Sequence, residues 1–409
     1  MAGALEGVRI IDMTAVVLGP VATLHLADMG ADVVKIEPPE GDVMRNAGHS
    51  PVRKMGPIFL NANRNKRSLA LDLKKPAAVD VVKRLVAKAD VFVHNNRPAA
   101  VERLGLGYDD LKVVNPRLIY AFAHGYKRTG PYGHMPAYDD LVQAASGAAM
   151  LQSRIDGGEP RFLPTLVADK TTGLHLGMAI LAALYARERT GIAQQIEVPM
   201  LESVTAFWML EHLFDHTFVP PRGEMGYARI LNEFRRPYRT RDGFVMALPY
   251  TAKHWSAFTD GTGRKDLAID PRFVTLEARA NNQAAAMAAI AEIMLTRTTG
   301  DWLAFCEKND IPAQRINDLE DLPTDPHLAA TSFFTRREHP TVGPVLTMAS
   351  PFNFSETPTS FRRHAPTLGG DGAEVLTEAG FSESEIGALR SEGALVEDAG
   401  RPRDAAPSS

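Results

Sequence analysis

Asp169 stands in Leu163-Pro164-Thr165-Leu166-Val167-Ala168-Asp169-Lys170-Thr171-Thr172-Gly173, where an apolar run leads straight into a long helical stretch, Thr171 to Arg187. An Asp at such a junction can cap the helix. The same position suits a nucleophile: the helix N-terminus is partly positive and favours an ionised carboxylate, which attacks an acyl carbon without a general base. Gly173 leaves room for a ligand. Residue types alone leave both readings open. A second acid, Asp139, follows Tyr138 and precedes a helical stretch at Asp140 to Ala149. It too reads as a cap or as an acid working beside the first.

Two segments bring polar groups to strand ends. One is Asn61 to Arg67 (NANRNKR), with Lys74 and Lys75; the other is His94-Asn95-Asn96-Arg97-Pro98, with Arg103 in the helix that follows. Amides and guanidiniums there suit phosphates and an adenine edge, or they are ordinary solvated loop charge. Glu37, at the end of a strand, has the position of a ribose-binding acid. The loop Thr14 to Pro20 has no GxGxxG, however, so the backbone cannot approach a pyrophosphate. NAD is not expected, and Glu37 reads as a solvated strand end. His212 and His216 have metal-ligand spacing without a Glu-x-x motif or cysteine cluster, so no metal is expected. His124 reads as a hydrogen-bonded structural histidine, and His175, Cys306, Trp255 and Phe258 as core.

The elements that must position these groups alternate. Val8 to Met13 reads as a strand, Val21 to Met29 as a helix with Pro20 at its start, and Ala31 to Glu37 as a second strand. That βαβ unit makes the two strands parallel. Ser68 to Leu73, Asp90 to His94, Leu118 to His124 and Gln195 to Val198 continue the strands; Pro76 to Ala89 and Met200 to Phe214 continue the helices. The fold class is therefore α/β: a large domain with a Rossmann-like open parallel sheet, plus a smaller α+β domain. The expected division is 1–222 for the N-terminal part of the large domain and 223–324 for the small one. Residues 325–396 return to the large domain, and 397–409 form a polar, disordered tail.

The chain has 409 residues with 45 Lys+Arg against 49 Asp+Glu, a balance that argues against nucleic-acid and membrane-surface partners. One cysteine excludes an internal disulfide framework. With no signal-peptide pattern and no apolar run of about 18 residues, a cytoplasmic protein is expected.

The order and spacing of many segments resemble the family III CoA-transferases (CaiB/BaiF), whose members include formyl-CoA transferase, carnitine CoA-transferase and α-methylacyl-CoA racemase. They include IIDMT, LGP, GADVVKIEPPEGD, NANRNKRSLALDLK, NNRPAAVERLG, NPRLIYAFAHGY and GPYGHMPAYDDLVQAASG. LVADKTTGLHLGMAILAALYARERTGIAQQIEVPMLES and HAPTLGGDGAEVLTEAG complete the set. The resemblance runs from Gly7 to Gly380 and is weakest between Gly223 and Leu322.

The resemblance implies CoA transfer between an acyl-CoA donor and a small carboxylic acid acceptor. Asp169 would be the nucleophile, carrying the CoA as an aspartyl-CoA thioester, with Asp139 and Tyr138 beside it. Coenzyme A would contact Val16, Val17, Leu71, Lys74, Asn95, Asn96, Arg103 and Met200. The family also implies an interlocked homodimer. Three features depart from formyl-CoA transferase. A Gln of that enzyme is Val17 here, and an Arg near Pro38 is missing. Its glycine-rich loop has no counterpart between Gly223 and Asp242, where Arg229, Arg235 and Arg236 stand instead. Formyl and oxalate are thus not expected as substrates, and those arginines suit the carboxylate of a larger acid. The rival is racemase-like proton transfer, which needs a second base; the racemase's His is Tyr138 here, a poor base at neutral pH. A non-catalytic CoA-binding protein would have no need of Asp169.

Overall fold

The computed structural model describes residues 2–398 and 400, and the chain divides into two compact units. The first takes the chain up to Ala148, Phe162–Phe207, and the chain from Ala329 on; the second takes Ala149–Arg161 and Trp208–Leu328. This departs from the expected division at 222 and 324. The boundary lies inside a helix that begins at Met200, and a short earlier segment joins the second unit.

The first unit opens as strand and helix in turn: β1 (Arg9–Met13), α1 (Leu18–Asp28), β2 (Asp32–Glu37), α2 (Pro57–Ala62), β3 (Lys66–Leu71), α3 (Pro76–Val86) and β4 (Val91–His94). It continues through α4 (Pro98–Arg103), α5 (Tyr108–Val114), β5 (Ile119–His124) and α6 (Asp139–Ala145). After α7 (Ala148–Asp156), mostly in the second unit, come α8 (Val167–Thr190), β6 (Gln195–Pro199) and α9 (Met200–His212). The second unit then adds β7 (Tyr238–Arg239), β8 (Phe244–Ala247), α10 (Ala252–Thr262), α11 (Lys265–Ile269), α12 (Leu276–Asn281), α13 (Gln283–Met294), α14 (Thr299–Lys308), β9 (Ala313–Arg315) and α15 (Pro326–Ala330). The last elements are β10 (Phe334–His339), β11 (Gly343–Met348), α16 (Gly372–Glu378), α17 (Glu383–Ser391) and β12 (Leu395–Val396).

The large sheet has the order β12-β3-β2-β1-β4-β5-β6, parallel throughout except for β12. β3 and β4 are buried along their whole length, as strands covered by helices on both faces must be. Helices α3, α16 and α17 bury Val82, Leu85, Leu376 and Leu389 against Ile11, Phe92 and Tyr120. Helices α1 and α8 pack together so closely that a Cβ on Gly173 would lie 2.5 Å from the Leu18 carbonyl oxygen. That contact explains the glycine better than ligand clearance does. The strand order reverses between β1 and β4, which opens a crevice at their carboxyl ends.

Several expectations are corrected. The Asn61–Arg67 segment is neither solvated loop nor phosphate site: it leads into the amino end of β3, and all but Asn61 of it is buried. Arg64 pairs with Asp28 at 2.6 Å, Lys66 with Asp12 at 3.3 Å, and Arg67 with Asp32 at 2.7 Å. Glu37 is not solvated either; it is 2% exposed, grips Arg45 through both oxygens at 2.7 Å, and accepts from Ser68. Helix α1 begins three residues early, with Pro20 in its first turn, where no intrahelical N–H is needed. Of the expected tail, Glu397 pairs with Arg390 and the Asp398 N–H donates to Leu368; Ala399 and Arg401–Ser409 lie outside the described residues.

The second unit is α+β: a three-stranded antiparallel sheet, β7-β8-β9, with helices burying Trp255, Phe258, Phe273, Ile290 and Trp302. Cys306 sits in that core, and burial pushes its thiol up to about 11.

Candidate active site

Four strands of the large sheet deliver their carboxyl ends to one cleft of about 680 Å³. The loop after β1 supplies Ala15 and Val16, the loop after β4 supplies Asn95 and Asn96, β5 ends in His124, and Met200 follows β6. Arg103, Tyr138 and Asp169 complete the set of expected residues on its wall. Leu71 and Lys74 line a smaller cavity of about 350 Å³ that shares Asn96 and Ala100 with the cleft. Two expected residues line neither: Val17 is 6% exposed and faces the core, and Asp139 is 5% exposed.

The amides of Asn95 and Asn96 are tied to the end of β1 and the loop after it. Asn95 accepts from the Ala15 N–H and donates to the Ala15 carbonyl, both at 2.8 Å, while Asn96 donates to the Met13 carbonyl at 2.9 Å. Lys35 donates to the Thr14 carbonyl at 2.7 Å, and Asp42, paired with Lys35, accepts from the Val16 N–H at 3.1 Å. This fixes a backbone that would otherwise relax, because Val16 has φ +70°, a left-handed conformation costly for a β-branched residue. Buried charges in this chain therefore shape the wall of the cleft from behind.

Asp169 lies in the first turn of α8; the N-cap is Leu166, so the capping reading of Asp169 fails. Asp139 likewise sits one residue inside α6, behind Tyr138. Its carboxylate accepts the Asp169 N–H at 3.0 Å through one oxygen and Gln143 Nε2 at 2.7 Å through the other. Gln143, 1% exposed, also accepts from the Leu163 N–H at 2.9 Å. Asp169 is 8% exposed, lines the cleft, and its side chain receives no hydrogen bond from the described residues. Burial first, then the charge of Asp139, pushes its carboxyl up to about 7. Desolvation thus opposes the ionised form that the helix terminus favours.

Two further basic side chains stand on the cleft wall that residue types and spacing do not single out, Arg128 and His134, beside Arg97 of the polar segment after β4. Arg128 lies in the glycine-broken stretch Gly125–Gly133 after β5, and His134 directly follows it. His124 was read as structural, and it is hydrogen-bonded to Glu197 at 2.9 Å, yet it also lines the cleft. His175 is half-buried rather than core. His212 is buried and accepts the Tyr227 N–H, while His216 is exposed.

A family model described as CoA-transferase family III matches residues 5–372. The chain belongs to that family. Among relatives of this CoA-transferase, an acetyl-CoA:oxalate CoA-transferase of Acetobacter aceti is 34% identical over 94% of this chain and 97% of its own length. A succinyl-CoA:glutarate CoA-transferase of Homo sapiens is 29% identical over 96% of this chain and 90% of its own length. The crystal structure of Rv3272 from M. tuberculosis superposes with TM-score 0.79 at 30% identity, covering 91% of this chain and 99% of that one. Among the described residues, no helix is long and apolar enough to cross a membrane.

Proposed function

We propose that this CoA-transferase moves CoA from a small acyl-CoA donor to a carboxylic acid acceptor through a covalent aspartyl-CoA intermediate on Asp169. One observation carries the reading: Asp169 is nearly buried, lines the cleft, and its carboxylate has no hydrogen-bond partner among the described residues. A structural aspartate in such a place would be paired; a nucleophile must keep its oxygens free. Asp169 attacks the donor thioester to give a mixed anhydride and CoA thiolate. The thiolate returns to the Asp169 acyl carbon and releases the donor acid. The acceptor carboxylate then runs the two steps in reverse.

Asp139 and Gln143 hold the first turn of α8 so that Asp169 faces the cleft. Arg103 and Lys74, both exposed and outside any ion pair among the described residues, are suited to the phosphates of CoA. Val16, Asn95, Asn96, Leu71 and Met200 form the wall that CoA lies against, with Tyr138 at the nucleophile's end and Val17 behind it.

For the acceptor we favour a dicarboxylic acid, with succinyl-CoA as donor, on the names of the glutarate-using relatives. Arg235 and Arg236, exposed and without an ion pair among the described residues, are of the residue type that binds a carboxylate. We also favour a homodimer: α8 leaves Leu174, Met178 and Tyr185 46%, 58% and 67% exposed on one stripe, surface a second copy would cover.

The test is intact-mass analysis after incubation with succinyl-CoA, acetyl-CoA and a small acyl-CoA panel, with hydroxylamine trapping. An adduct on Asp169, absent in Asp169→Ala, supports the mechanism. No adduct with any donor, together with deuterium exchange at the α-carbon of a branched acyl-CoA, overturns it in favour of racemase chemistry. Unchanged acceptor KM in Arg235→Ala and Arg236→Ala removes those two residues from the substrate site.

A further inference from the structure

The CoA sulfur leaves and returns in each half of the proposed cycle. A thiolate is a moderate leaving group, with thiol pKa near ~8.5, so a group that can lend it a proton lowers both barriers. Asp139 cannot do this: both of its oxygens are engaged, and it lies behind the cleft wall.

His124 lies on the wall of that cleft. It ends β5 and lines the cleft together with Asp169 and Met200. Its Nε2 lies 2.9 Å from Glu197 Oε1 on the neighbouring strand, and that same oxygen accepts the Arg128 N–H at 2.7 Å. A carboxylate only accepts, so Nε2 carries the hydrogen, and the exchangeable position is Nδ1. The imidazole side chain is 9% exposed, and among the described residues nothing bonds to Nδ1. The end of β5 is also held against the nucleophile's support. Gly125 packs on Ala137 so tightly that a Cβ would lie 2.1 Å from the Ala137 Cβ, and Asp139, two residues on, holds the Asp169 N–H. A cleft-lining histidine with one ring nitrogen fixed by a carboxylate and the other without a partner among the described residues is the arrangement of an acid–base histidine.

We propose that His124, oriented by Glu197, carries the proton of the CoA thiol during transfer. When Asp169 attacks, the C–S bond breaks and its electron pair goes to sulfur, which takes the Nδ1 proton of the imidazolium. The products are the mixed anhydride, CoA thiol and neutral His124. In the second step Nδ1 recovers that proton as sulfur attacks the Asp169 acyl carbon, and the donor acid leaves as its carboxylate. No proton is gained or lost over the pair of steps.

The inference rests on Asp169 as nucleophile, and the experiment separates the two. His124→Gln retains a donor for Glu197 and deletes Nδ1. Single-turnover acylation of Asp169 is measured by mass spectrometry, with succinyl-CoA and with a succinyl thioester of an aryl thiol of lower pKa. The expected result is a fall on the order of 100-fold with succinyl-CoA, and a fall of only about threefold with the aryl thioester, which needs no proton to leave. Glu197→Gln, the second variant should His124→Gln fail to fold, shows the same asymmetry with a smaller fall. Equal falls with both thioesters, or no fall with succinyl-CoA, overturn the role of His124 and leave Asp169 standing. Acylation absent from Asp169 in the unaltered enzyme overturns both.

Discussion

Asp139 accepts the backbone N–H of Asp169 at 3.0 Å, so the group that fixes the proposed nucleophile also sets a negative charge beside it. Burial and that charge together raise Asp169 to about 7.

The first consequence is a pH profile. Only the ionised form attacks, so on the acid limb kcat/KM for the acyl-CoA donor falls about tenfold per unit below pH 7. Asp139→Asn leaves an oxygen for the Asp169 N–H but removes the charge, and the inflection moves below 7. Initial rates between pH 5 and 9 check this; an inflection that stays put would assign the shift to burial alone.

The same shift makes Asp169 a stability cost. Its folded pKa lies above its ordinary value of 3.8, so its contribution is fully present below pH 3.8 and is lost as pH rises through 7. Above that, the ionised side chain costs on the order of 4 kcal/mol. Asp169→Asn is therefore expected to be inactive but more resistant to urea at pH 8, with the gain vanishing near pH 4. Urea midpoints of the two proteins at both pH values are the measurement.

Periodicity made the large sheet legible, because the apolar runs at Ile10, Val33, Phe92 and Ala121 are short, continuous and punctuated by helices beginning at proline. Asp169 was legible as a candidate for a different reason: an apolar run entering a long helix singles out an acid there, but it left cap and nucleophile open, and only the family resemblance chose between them. What stayed hidden was the pairing of charges. Asn61 to Arg67 looks solvated in one dimension, and nothing local says that Arg64 meets Asp28 at the end of α1 or that Lys66 meets Asp12 on β1. His124 and Glu197 were hidden likewise, since only the β5–β6 register brings these 73-residue neighbours together.

Glu37 turns that lesson into a test. It is buried, held well down at about 2 chiefly by Arg45 against the cost of burial, and it contributes stability that is present above pH 4.5 and lost as pH falls towards 2. Removing it strands the Arg45 guanidinium, which is 1% exposed and stacked on Phe59. Glu37→Ala is thus expected to lose about 3–5 kcal/mol at pH 7. A surface acid would lose almost nothing, so chemical denaturation decides between the solvated and the buried reading.

Arg103 offers the cleanest separation of binding from chemistry. It lines the cleft, is exposed, and is tied to no acid among the described residues, so its truncation strands no buried charge. A phosphate contact of the substrate is made equally in the ground and transition states, which raises KM and leaves kcat alone. Arg103→Ala should therefore raise KM for the acyl-CoA about tenfold at low salt, with kcat within about twofold. The gap should narrow at 0.5 M salt, where the Debye length shrinks to about 4 Å and the charge matters less. Lys74→Ala, on the adjoining cavity, should behave alike and more weakly, an ammonium having no bidentate fork. If kcat falls and KM holds, Arg103 acts on the reacting atoms instead, and CoA lies differently in the cleft.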